Sequence, residues 1–405
     1  MKTVAIICEY NPFHTGHKYQ IDSIRQQFGP DCAIIAIMSG NYTQRGEIAI
    51  ADKLLRAKCA VECGVNLVLE LPFPYSASSA EFFAKAGVSI ANSLQIVDYL
   101  SFGSECGDLS LLSSIADAML SKDYTNAFHE LQSNSEYANM GYAKLCTLAL
   151  KKLGLKNAED VISSPNNILA IEYIKALRRS DSKIAPHTHK RMGAGYNDCH
   201  IENALYQSAS SIRQEIICNN PNAFDYIPSP AKEEIALATE ACALPCDAEK
   251  LSSFVISYFR LASRSDGEKI HDAKGGLYNR LIEKSFESDS INKLVENTAT
   301  KKFTDARIRR AIWYSLFGVT SSDIRENPMY TQLLAMDDLG RMLLCRIKKE
   351  SDIAVITKPS NTSMLSDTAA RQKQISDKAD SLFQLTKPCF TDGNYSIKLT
   401  PYVKK

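Results

Sequence analysis

Four short apolar runs separated by helical patterns dominate the first hundred residues. They are Val4 to Cys8, Cys32 to Met38, Val65 to Leu71 and Ile96 to Phe102, built largely from Val, Ile and Leu. Runs that are apolar on both faces suit a parallel sheet covered by helices rather than a sheet with one wet side. The segments between them, His17 to Gln27, Ala51 to Glu62 and Ser78 to Leu94, read as helices. This alternation predicts a doubly wound α/β layout, whose ligands bind beyond the carboxyl ends of the strands.

Further along, Asp108 to Gly154 turns helical, followed by a helix from about Asn166 to Arg179, a short strand from Lys183 to Thr188 and a helix from about Ala204 to Cys218. The stretch Asn219-Asn220-Pro221-Asn222, with Pro228-Ser229-Pro230 close behind, is the best boundary candidate and divides the chain into residues 1–220 and 221–405. Glu233 to about Gly318 reads as mostly helical, and Tyr330 to Lys405 mixes a helix with short strands such as Ile353 to Ile356.

Composition narrows the functional class. The chain carries 47 Lys and Arg against 46 Asp and Glu, which excludes a uniformly basic nucleic-acid coat and leaves room for a local basic patch. Its 12 cysteines in 405 residues fall well short of the ~8–10 % of a disulfide scaffold. There is no Cys-x-x-Cys, and the i, i+4 pairs Cys59/Cys63 and Cys242/Cys246 lack the neighbouring ligands of a zinc site. Reduced thiols in a cytoplasmic protein are expected. Val4 to Cys8 is too short for a secretory core of ~7–15 residues. Cys32 to Met38 is far from the ~18 residues of a membrane span.

The strongest chemical signal follows the first strand: Glu9-Tyr10-Asn11-Pro12-Phe13-His14-Thr15-Gly16-His17. The strand stops at Pro12 and a helix begins near His17. Gly16 would let backbone approach a ligand with no Cβ in the way. The free N–H groups of the first helical turn favour an anion there. His14 and His17 are three residues apart, so both imidazoles can face one spot and stabilise charge growing on a leaving pyrophosphate. A metal pair is the competing reading, but the spacing is not His-Glu-x-x-His and no third ligand follows. No Walker-type loop supplies another phosphate cradle.

His14-Thr15-Gly16-His17 resembles the His-x-Gly-His signature of the nucleotidyltransferase superfamily. Ser208-Ala209-Ser210-Ser211-Ile212-Arg213 is similar to that superfamily's second signature, in which hydroxyls, N–H groups and one Arg clamp the β- and γ-phosphates. A finer set appears in order: Met38-Ser39-Gly40-Asn41, Gln44-Arg45-Gly46-Glu47, Glu70-Leu71-Pro72, Phe102-Gly103-Ser104-Glu105, Ser164-Pro165-Asn166-Asn167-Ile168-Leu169 and Lys190-Arg191. Gly276 to Arg280 and Lys301 to Ile308 continue it. Together these motifs closely resemble the bacterial tRNA(Met) cytidine acetate ligase family, although Tyr278 stands where Glu is usual and Ser210 where Thr is. The resemblance implies a Rossmann-like parallel-sheet nucleotidyltransferase domain with a mostly helical, tRNA-binding C-terminal region. It also implies ATP as cosubstrate with magnesium, acetate activated as acetyl-adenylate, and transfer to the wobble cytidine of elongator tRNA(Met) as N4-acetylcytidine. No membrane or protein partner is implied.

By the same resemblance, ATP would be held by Ile7, Cys8, Glu9, Tyr10, Asn11, Pro12, Phe13, His14, Thr15, Gly16, His17, Lys18, Tyr19 and Gln20, with Gly103, Asn166 and Arg191. The catalytic set would be His14, His17, Ser208, Ser210 and Arg213. From the residues alone, Gly103 could be a strand-ending turn, Asn166 a helix N-cap and Arg191 solvated surface. Arg45 and Lys53, in the stretch after the second strand, are candidates for holding acetate or phosphate.

A basic segment supplies a second surface. Thr300 to Trp313 carries Lys301, Lys302, Arg307, Arg309 and Arg310 against Asp305, a local charge of +4. Helical spacing sets Ile308, Ile312 and Leu316 on an apolar stripe and Arg307, Arg310 and Tyr314 on another face, suited to RNA phosphates and a stacked base, or to plain solvation. Trp313 reads as core. Arg341, Arg346, Lys348 and Lys349 form a further basic set. Two rivals share the N-terminal motifs: an adenylyl- or cytidylyltransferase making a small metabolite, and a non-catalytic RNA-binding protein on an ATP fold.

Overall fold

The structure, a computed structural model, describes residues 1–137, 140–155, 158–191, 207–218, 220–358, 362–363, 365–389, 392–393 and 398–404. Strands β1 (Thr3–Cys8), β2 (Ala33–Ser39), β3 (Leu67–Leu71), β4 (Tyr99–Ser104) and β5 (Ala185–Lys190) pair in parallel in the order β5-β4-β1-β2-β3. The register of β1 on β2 runs from Thr3 opposite Ala33 to Cys8 opposite Met38. Every residue of β2 is buried, and alternation explains why. Ala33, Ile35 and Ile37 enter one core with α3 (Ala80–Ser93), while Ile34, Ala36 and Met38 enter another with α1 (Thr15–Phe28) and α2 (Lys53–Glu62). A strand covered on both faces has no polar side to present, so its sequence is continuously apolar.

From β1 the chain winds outward through β2 and β3, and then returns to place β4 and β5 on the other side of β1. The topological switch therefore lies between β1 and β4, and the crevice beyond their carboxyl ends is where such a sheet binds its ligand. The His-x-Gly-His turn leaves β1 at that crevice.

Beyond residue 221 the chain is mostly helical as far as Arg325, and then rejoins the sheet. β6 (Tyr330–Met336) pairs antiparallel with β3, and β7 (Ala354–Ile356) and β8 (Tyr402–Val403) share the far edge of β6. Two helices, Asp338–Glu350 and Asp367–Phe383, occupy the last part where one was expected. The strand expected from Ile96 begins only at Tyr99, after a turn with Gln95 at φ 60°. The helix expected from Ala204 is seen from Ala209, with Ser208 as its cap; Ala204 to Leu205, the Met192 to Gly195 turn and Asn219 lie outside the described residues.

The helical region has its own core, in which Phe259, Leu281, Leu294, Ile312 and Trp313 are buried. Tyr42 and Phe73 of the N-terminal region enter this core: the Tyr42 ring lies 5.4 Å from that of Trp313, and Trp313 donates through Nε1 to the Gly46 carbonyl at 2.7 Å. Gly46, at φ 74°, is required twice over, because a Cβ there would lie 2.7 Å from the backbone N of Arg310. Tyr278, where the resembling family has Glu, is buried against Gly267, whose hydrogen leaves room for the ring.

Candidate active site

The turn out of β1 is held by a reciprocal cap. The Gly16 N–H donates to His14 Nδ1 at 3.0 Å, and the His14 N–H donates to His17 Nδ1 at 3.2 Å. The two rings stack obliquely, with centroids 3.8 Å apart. Because each Nδ1 accepts a backbone hydrogen, the ring proton of each neutral imidazole sits on Nε2. Burial pushes His14 down to about 3, with the charges of Arg191 and Arg213 adding to it. His17 is also held well below the usual imidazole range by burial, His14 and Arg191. At neutral pH the turn thus presents two uncharged Nε2–H donors, neither with an acceptor among the described residues.

Gly16 has a task beyond the one expected: a Cβ there would lie 2.8 Å from His14 Cε1, so the missing side chain makes room for the capping ring. The remaining residues of the run divide similarly. Ile7, Tyr10 and Phe13 point into the cores, and Ile7 fills the space left by Gly87 on α3. Lys18 pairs with Asp22, and Gln20 donates to the Ser101 carbonyl at 3.3 Å. Glu9 accepts the Gln44 N–H at 2.9 Å, and burial raises its carboxyl. Asn11 accepts from Ile50 at 2.9 Å, but its Nδ2 and the Thr15 hydroxyl are buried without a partner among the described residues, as groups awaiting a polar ligand would be.

Gly103 lies within β4, opposite His189, and is not a strand-ending turn. A Cβ there would stand 2.9 Å from Arg191 Cγ and 3.1 Å from His189 Nε2, so its hydrogen lets Arg191 cross the strand end. The Gly103→Ala variant is therefore expected to fold and to raise the KM for ATP roughly tenfold, the loss of one charge-assisted hydrogen bond of about 1.5 kcal/mol. Steady-state kinetics at varied ATP check this; an unchanged KM would remove Arg191 from the nucleotide site. Asn166 is not the cap of the Pro165–Arg179 helix, since Ser164 holds that position. Asn166 donates through Nδ2 to Glu105 at 2.7 Å, and the Glu105 carboxylate accepts the Asn166 and Asn167 N–H groups at 3.2 and 2.8 Å.

The second motif folds onto the first. Ser208 caps the Ala209–Ile217 helix by accepting the Ser211 N–H at 3.2 Å. Arg213 donates to the Ser210 hydroxyl at 3.3 Å, to Glu47 at 2.8 Å and to the Asn11 carbonyl, 202 positions earlier, at 3.0 Å. Arg45 lies half-buried in the same loop as Glu47, next to Gln44.

Lys53 does not serve as an anion holder. It is buried between Glu70 at 2.7 Å and Asp380 at 2.5 Å, and Asn41 bridges its backbone N–H to the same Asp380. Burial alone would lower the ammonium, but Asp380 and Glu70 raise it, so the charge is fully spent. The sequence reasoning missed Arg56, which is buried and donates to the carbonyls of Glu9, Ser39, Gly40 and Ala51, tying the ends of β1 and β2 together. It also assigned no role to Glu47 or Glu105, although both stood in motifs that carried the resemblance.

The basic segment is less free than its charge suggests. On the Asp305–Phe317 helix, Arg310 is buried against Asp272 at 2.7 Å, and Arg307 donates to the carbonyls of Asp272 and Lys274. Lys302 donates to the Gly275 carbonyl at 3.1 Å, and Tyr314 is core, bonded to the Ala77 carbonyl at 2.6 Å. Among the described residues Arg309 hydrogen-bonds only to Asn292, at 3.3 Å, and Lys301 is exposed. Arg346 pairs with Glu350. Among the described residues no group of three His, Cys, Asp or Glu side chains could hold a metal ion, and no helix is long and apolar enough to cross a membrane.

A switch-point crevice with paired imidazoles at a helix start and an Arg from a late helix defines a nucleotidyltransferase, and a family model described as HIGH Nucleotidyl Transferase matches residues 1–396. The chain is 36 % identical over 382 residues to the tRNA(Met) cytidine acetate ligase of Thermoanaerobacter sp. strain X514, covering 93 % of each chain. It is 35 % identical over 387 residues to that of Acetivibrio thermocellus, covering 92 % of each. The crystal structure of Thermotoga maritima TmcAL bound with alpha-thio ATP superposes with a TM-score of 0.90 at 28 % identity, covering 100 % of this chain and 99 % of the other. The chain belongs to the tRNA(Met) cytidine acetate ligase family.

Proposed function

We propose that this chain is an ATP-dependent ligase that joins acetate to the wobble cytidine of elongator tRNA(Met). The observation that carries the reading is the contact of Arg213 with the Asn11 carbonyl, which brings the late-helix motif against the His-x-Gly-His turn after β1. In the first step an acetate oxygen attacks the α-phosphorus of ATP, the bond from that phosphorus to the bridging oxygen breaks, and pyrophosphate leaves with the electron pair. Anion attacks anion, so catalysis consists of positioning and of donors aimed at the departing charge. The His14 and His17 Nε2–H groups would supply those donors. Arg191, Arg213 and the hydroxyls of Ser208 and Ser210 would hold the remaining phosphates.

In the second step the cytosine N4 lone pair attacks the acetyl carbon, AMP departs, and N4 loses one proton. Among the described residues no group of three His, Cys, Asp or Glu side chains gathers around a metal position, so magnesium would arrive on the triphosphate whose charge it neutralises. The alternative of a metabolite-making transferase leaves the helical region without a substrate. Incubating the protein with ATP, labelled acetate and a tRNA pool tests the proposal. Label is expected on elongator tRNA(Met) as N4-acetylcytidine, with AMP and pyrophosphate released. Label on no RNA would overturn it.

A further inference from the structure

Between the Ala209–Ile217 and Asp305–Phe317 helices lies a cleft of about 460 Å³, whose lining includes Ser210 and Arg213. Its apolar walls include Ile50, Ile291 and Ile312, and its polar lining includes Gln214, Asn292 and Arg309. We infer that this cleft receives the target cytosine of the RNA, turned out of its stack, during acetyl transfer. The inference rests on the function proposed above and names the substrate pocket of that reaction.

Position supports it first. The amine must reach a carbonyl attached to the α-phosphate, and Arg213, which lines the cleft, also donates to the Asn11 carbonyl on the turn after β1, so the cleft adjoins the crevice where the acetyl-adenylate would form. Size agrees, since small-molecule sites run from ~300 to 1,000 Å³ and a nucleoside fits within that range. Charge then separates a base from an anion. Arg213, paired with Glu47, belongs to the motif that would hold the phosphates, and over the rest of the lining Arg309 is balanced by Asp247, so no further anion is favoured there. A neutral heterocycle is.

The hydrogen-bonding groups match a pyrimidine edge. Cytosine offers O2 and N3 as acceptors and N4–H as donor. Both terminal nitrogens of Arg309 share one acceptor, Asn292 Oδ1, so the guanidinium has donors to spare. Among the described residues Gln214 donates only to the Cys218 sulfur, at 3.4 Å, and its carbonyl oxygen has no donor there, which leaves it to an amine. Enzymes that modify a base read it in this way, by its edge, between apolar walls.

Gln214 and Asn292 are exposed and Arg309 is half-buried, so alanine at each leaves the fold intact. Two readouts are compared in each variant: acetate-dependent exchange of pyrophosphate into ATP with saturating tRNA, and label transfer to the RNA. Transfer kcat/KM is expected to fall roughly tenfold or more for each, with exchange within twofold of the parent. An anticodon stem–loop with uridine at the wobble position should compete less well than the cytidine form for the parent, and the gap should narrow in Arg309→Ala and in Gln214→Ala and close when both are replaced. Full transfer activity in all three variants, or exchange lost in step with transfer, would overturn the inference while leaving the proposed function standing. A parent that transfers no label to RNA would instead remove the proposed function and the pocket with it.

Discussion

Replacing His14 with Asn is expected to cut acetate-dependent ATP–pyrophosphate exchange by a factor of roughly 10² to 10³, the usual cost of losing one donor to a developing anion. The choice of Asn matters because His14 is also the N-cap of α1, accepting the Gly16 N–H at 3.0 Å. Asn is among the best N-caps, so the variant keeps its stability within about 1 kcal/mol while losing the Nε2–H. His14→Ala would lose both and could not separate them. The pH profile gives an independent check. His14 is pushed down to about 3 and is already neutral throughout pH 5.5 to 8, so the exchange rate should show no acid limb near the ordinary imidazole value. A limb near 6.5 that vanishes in His14→Asn would mean that the protonated ring is the active form. Stability, by contrast, does depend on this shift. The unfolded chain takes up a proton near 6.5 and the native ring only near 3, so the contribution is complete above 6.5 and is lost as the pH falls from there towards 3.

The Lys53→Met variant should lose about 3–5 kcal/mol of stability in denaturant unfolding, because Glu70 and Asp380 would be left buried around no cation. Adding Glu70→Gln and Asp380→Asn removes the stranded charges and should restore most of that loss. The protein that survives should need no more acetate than the parent. A raised acetate requirement with unchanged stability would return Lys53 to the anion-binding role that its place after β2 suggested.

These two residues show what was legible. His14 could be found because its chemistry depends on neighbours only a turn away: a strand end, a glycine and a helix start are all written within nine residues. Lys53 could not, because its partner Asp380 is 327 positions distant. A lysine at a helix start beside an expected crevice looks the same in sequence whether it faces an anionic ligand or an internal carboxylate. Arg307, Arg310 and Tyr314 repeat the lesson, since helical periodicity put them on one face but could not reveal that Asp272, the Lys274 carbonyl and the Ala77 carbonyl already occupied it.

Periodicity and local backbone chemistry, which act over a few residues, were enough to determine the parallel sheet and the turn after β1, and the family was legible only through the resemblance of the motifs. Only the tertiary structure decided that the antiparallel β6 returns to the sheet, that Arg213 reaches Asn11, and which cations are spent on internal partners. Those outcomes depend on distances closed between remote parts of the chain. A charge is available to a ligand only if no buried group has claimed it first, and that is settled when the cores pack.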